Sequence, residues 1–158
     1  MSGDLRRTLA AVPAAVLGLL VLLGGLAGCG VVSQPDTKAW DKQVQTTLDD
    51  AASEVATARL ALRSAHDDRV WSPYALVLVT ESEKAADKLE SQLASLQPPT
   101  SRQQQAEDVL DLLASATSAV REAREAAVDK KYDDPALDSK LAKLHDALEQ
   151  ASKADPAR

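Results

Sequence analysis

Few side chains in this sequence could do chemistry, and they are widely spaced. The chain has one cysteine, Cys29, and two histidines, His66 and His145. Helical bundles that hold paired metal ions use inward-facing Glu and Glu-x-x-His pairs. Here Arg63 stands three residues before His66 and Ala142 three before His145, so that motif is missing. His66-Asp67-Asp68 is the nearest approach to a metal-ligating cluster. Adjacent carboxylates at a helix end are usually solvated or capping, so it is a weak candidate. One cysteine excludes an internal disulfide framework and a cysteine-built zinc cage. There is no Gly-x-Ser-x-Gly elbow, and glycine after residue 28 occurs only at position 30, which leaves no phosphate-cradling loop. Asp49-Asp50 and Asp133-Asp134 read as a wet helix face and a helix cap. The expectation is a protein without catalytic residues, metal or other cofactor.

The elements that carry these residues follow from composition. Apolar residues make up 45% of the chain, too many for a disordered polymer, and charged residues 27%. Aromatic residues are only 3%, with no phenylalanine, while alanine, leucine, glutamate, lysine and glutamine abound. That mixture favours helix over sheet. The net charge of -6 argues against a nucleic-acid partner, because neutralising phosphates takes a basic face.

The first 28 residues differ from the rest. Residues 1–8 carry Arg6 and Arg7, and residues 9–25 are apolar, small or glycine, with Pro13 among them. A charged start, an apolar centre and small residues before a cut mark a signal peptide. Leu26-Ala27-Gly28-Cys29 resembles the lipobox of bacterial lipoproteins. The resemblance implies that Leu26, Ala27 and Gly28 are read by signal peptidase II, which cuts before Cys29. It further implies a diacylglyceryl thioether on the Cys29 sulfur, with or without an acyl chain on the new amine. The lipid bilayer is then a partner through Cys29. The location is the extracytoplasmic face of the cell membrane, or the outer membrane in a Gram-negative host. Cleavage removes Asp4, Arg6 and Arg7, leaving the remainder one charge more negative. Residues 29–37 form the lipidated cysteine and a short tether.

Residues 38–153 are expected to be all-α, an antiparallel up-down four-helix bundle, followed by a tail over 154–158. The helices are placed at about 38–65, 73–96, 101–130 and 135–153 from apolar positions spaced by threes and fours. The first stripe is Trp40, Val44, Leu48, Ala51, Val55, Ala58, Leu62 and Ala65. Ser72 reads as an N-cap before Pro73, with Leu78, Ala85, Leu89, Leu93 and Leu96 inside and Pro98-Pro99 as the stop. Thr100 and Gln103 suggest a capping box for the third helix, which ends on Lys130-Lys131. Asp134-Pro135 opens the fourth, with Leu137, Leu141, Leu144, Leu148 and Ala151. Short connections make consecutive helices antiparallel neighbours.

In such a bundle Trp71, Tyr74 and Tyr132 gather at the end away from the lipid. The run Tyr74-Ala75-Leu76-Val77-Leu78-Val79 beside them is apolar all round. The plainer expectation is that loops fold over it with Trp71 as a plug. The other is an interaction surface formed by Trp71, Tyr74, Leu76 and Tyr132. The sequence thus points to a membrane-anchored, non-catalytic helical module that contacts an envelope protein. The alternative is a lipoprotein that binds a small molecule or metal at the tip or within the bundle. A cavity of about 300 Å³ or more beside Trp71 and Tyr74 favours the alternative.

Overall fold

The computed structural model describes residues 36–154. The lipobox-like residues Leu26, Ala27, Gly28 and Cys29, and residues 155–158, lie outside the described residues. The described chain is all-α: helices α1 (Thr37–His66), α2 (Ser72–Ala94), α3 (Gln103–Val128) and α4 (Pro135–Lys153), with a 3₁₀ turn at Thr100–Arg102. No strand occurs among the described residues, and none of these helices is long and apolar enough to cross a membrane.

Helix α1 buries every residue of its expected stripe, from Trp40 to Ala65, and widens it with Thr47, Ala52 and Ala61. The Asp36 side chain accepts a hydrogen bond from the Lys38 amide at 3.1 Å, satisfying one of the free donors at the helix start. The helix closes through Asp68, whose φ of 55° is left-handed. The Asp68 and Arg69 amides donate to the Ala65 and Ser64 carbonyls at 3.3 and 2.8 Å, a Schellman-type ending.

Several expected helix ends are corrected. Ser72 is the first residue of α2 rather than its cap, because the Tyr74 and Ala75 amides already donate to the Trp71 carbonyl at 2.9 and 3.0 Å. Trp71 stands at the N-cap with extended backbone and no side-chain hydrogen bond. Helix α2 stops at Ala94, ahead of Pro98-Pro99, and Leu96 lies outside it, 43% exposed instead of in the core. No capping box forms at Thr100, since the chain tightens into the 3₁₀ turn and the Arg102 amide donates to the Pro99 carbonyl at 2.8 Å. Helix α3 ends at Val128, before Lys130-Lys131, because Lys130 turns left-handed at φ 56°. The Lys130 and Lys131 amides return to the Ala127 and Ala126 carbonyls, the ending already seen on α1. The Asp134 cap holds: its carboxylate accepts from the Ala136 and Leu137 amides, each at 3.0 Å.

The core is one cluster built from all four helices, with leucine and valine between alanine contacts. Helix α1 packs against α2, α3 and α4, and α3 packs against α2 and α4, giving a bundle-like architecture. Polar ties join the helices at the edges. Arg102 reaches Asp41 of α1 at 2.9 and 3.1 Å, Arg121 and Arg124 of α3 reach Glu83 of α2, and Lys140 of α4 reaches Glu122 of α3 at 2.6 Å. The Lys140–Glu122 pair is exposed enough to add little stability by itself, and burial of the stripes carries the fold.

Two buried polar groups of the described core, the Trp40 Nε1 and the Ser82 hydroxyl, lack a hydrogen-bond partner, and Ser82 is the one that alanine can replace with little change of shape. It is fully buried. A lost buried hydroxyl interaction costs about 1–3 kcal/mol, and serine is also a poorer helix former than alanine. The Ser82→Ala variant is therefore expected to be more stable by about 1 kcal/mol, read as a higher urea midpoint with an unchanged slope.

Candidate functional site

The aromatic residues at the junction of α1 and α2 do not fold inward. Trp71 is 85% exposed, and Tyr74 and Val77 are 56% exposed each. The plug reading is thereby overturned: the run from Tyr74 to Val79 is amphipathic, burying Ala75 and Val79 and turning Tyr74 and Val77 outward. The spacing accounts for this, since 75 and 79 lie one turn apart on one face while 74 and 77 lie on another. Leu76 and Tyr132, expected to share the exposed surface, instead pack partly buried against the core. The Tyr132 hydroxyl is shut from solvent without a partner. The surface patch is thus Trp71, Tyr74 and Val77, and not the four residues first singled out.

A second feature lies where the end of α1 meets the α3–α4 connection. A cavity of about 300 Å³ is floored by Leu62, Leu137 and Leu141 and rimmed by charged residues of both signs. It includes Tyr132 and His66, but neither Trp71 nor Tyr74 lines it. The volume anticipated for a ligand pocket is present, displaced from the aromatic patch. His66, Asp67 and Asp68 do not converge as a metal site. Asp67 pairs with Arg69 at 2.9 Å, and Asp68 serves the left-handed turn. No group of three histidine, cysteine or acidic side chains able to hold a metal occurs among the described residues. His145 sits elsewhere on α4, its ring 3.3 Å from Asp146 and 3.7 Å from Glu149.

Along the cavity rim, Arg59 of α1 donates two hydrogen bonds to Asp138 of α4, both at 2.8 Å. These bonds hold the Asp138 carboxyl below the ordinary carboxylate range, against partial burial, with the attraction of Arg59 and Arg63 adding to them. The same contact raises Arg59. A carboxyl lowered by folding stabilises the folded state once it is ionised and loses that effect as the pH falls through its lowered value. The Asp138→Asn variant is therefore expected to be less stable than the natural chain at pH 7, by no more than about 1 kcal/mol because the pair is partly exposed. The difference shrinks as the pH falls through the lowered value of Asp138, and urea midpoints at pH 7 and in acid measure it.

The sequence offered no route to the Arg59–Asp138 pair, whose partners stand 79 residues apart. Leu60, 64% exposed, was legible as an outlier. It lies two residues before Leu62, which puts it nearly opposite the buried stripe. No family model, no curated protein and no solved structure matches this chain.

Proposed function

We propose that this chain is a lipid-anchored, extracytoplasmic helical module that docks a protein of the cell envelope through Trp71, Tyr74 and Val77. The observation that carries the docking surface is the exposure of a tryptophan, a tyrosine and a valine within seven residues at one end of the helical body. Large aromatic side chains left in water are unusual on a helical surface and are common anchors of protein interfaces. The lipid anchor rests on the Leu26-Ala27-Gly28-Cys29 match. The body is read as an up-down-up-down bundle. Short connections support this, as does the register of the ion pairs. Arg121 meets both Glu83 and Asp87, while Arg124, further along α3, meets Glu83, earlier on α2. In that topology the first helix leaves the lipid and carries the patch outward.

The test uses the full chain in its native membrane, with a photo-crosslinking side chain at position 77. A discrete protein adduct is expected, and it should vanish in the Trp71→Ala/Tyr74→Ala double variant while the melting temperature shifts by less than about 2 °C, since exposed residues contribute little to folding. A labelled chain with no adduct, or a double variant that melts far lower, sinks the docking role.

A further inference from the structure

The cavity between the end of α1 and the start of α4 has its own chemistry, separate from the aromatic patch. We infer that it binds a small zwitterion, of the class of a free α-amino acid with an aliphatic side chain. Its volume of about 300 Å³ stands at the lower limit of ligand pockets, which suits a molecule of that size. Its leucine floor offers an apolar seat.

The rim decides the charge of the ligand. Several of its ionic groups are already engaged within the protein: Arg59 with Asp138, Asp67 with Arg69, and Asp134 with the first amides of α4. Two groups of opposite sign line the same cavity without a hydrogen bond among the described residues: Asp133 on the α3–α4 connection, and Arg63 on α1, whose field also reaches Asp138. A plain anion would meet Arg63 but also the field of Asp67, Asp133, Asp134 and Asp138. A plain cation would meet Asp133 but also two guanidinium groups. A molecule carrying both a carboxylate and an ammonium can meet both groups, with its side chain on the leucines. Guanidinium–carboxylate contacts are strong and directional, which gives Arg63 the orienting role.

Isothermal titration of the full chain in detergent with L-leucine tests this, beside N-acetyl-leucine, which lacks the ammonium, and leucinamide, which lacks the carboxylate. Saturable binding of leucine is expected, with each derivative about tenfold weaker, since each forfeits one charged hydrogen bond. Arg63→Gln and Asp133→Asn are each expected to weaken leucine about tenfold with only a small change in melting temperature, because both residues are exposed. Absence of saturable heat up to about 10 mM, far above the Kd of a useful site, overturns the assignment. So does a derivative that binds as well as leucine. Neither result bears on the patch, because Trp71 and Tyr74 do not line this cavity.

Discussion

Serine in place of Cys29 is expected to leave the chain uncut and without lipid. Mass spectrometry of the protein from its native membrane reads this directly. The natural chain should begin at Cys29 and carry the added mass of a diacylglyceryl group, while the Cys29→Ser product should retain residues 1–28 and no lipid. The effect is all-or-none because the proposed modification forms a thioether. A thiol ionises near neutral pH and attacks readily as thiolate, whereas a serine hydroxyl does neither. The consequence for attachment is large. Each buried methylene contributes about 0.8 kcal/mol, so a pair of long chains holds far more firmly than the single chain that binds only marginally. Should the natural chain retain residues 1–28 with its sulfur unmodified, the anchor and the outward direction of the patch both fall.

Truncating Leu141 to alanine is expected to lower stability by about 2–5 kcal/mol, the range for removing a buried leucine side chain from a packed core. Leu141 is fully buried, belongs to the central cluster and also floors the cavity. Alanine contacts on the neighbouring helices leave few long side chains able to swing into the vacated space, which favours the upper half of that range. For a folded body of this size the melting temperature should fall by roughly 10 °C or more, followed by circular dichroism of the helices. A drop below about 3 °C would mean that the helices close over the gap, contrary to rigid alanine seams.

The helices were readable because their information is local. The stripe from Trp40 to Ala65, the Asp134 cap and the stop before Pro98-Pro99 depend on spacing or on a single backbone restriction, and all three hold. Helix ends were harder to read. Lys130 takes a left-handed backbone angle that its residue type does not advertise, Asp68 takes one that aspartate only tolerates, and the 3₁₀ turn at Thr100 replaces a side-chain cap with a backbone bond. The candidate site was half legible. Trp71 and Tyr74 were singled out, but their exposure depends on how α2 rotates against its neighbours, and Leu76 and Tyr132 go the other way. The cavity was invisible for a different reason. Arg59 and Arg63 of α1 meet Asp138 of α4 only in three dimensions, and in the sequence each looks like an ordinary wet-face charge.

The matched left-handed endings of α1 and α3 bear on recognition. In both, amides beyond the last helical residue are tied back into the final turn. The connections between helices thus sit in defined shapes before anything binds. A partner or ligand arriving there meets a preorganised surface, and little of its association free energy is drained by freezing loops. Association at that end should accordingly be fast, limited by orientation more than by rearrangement.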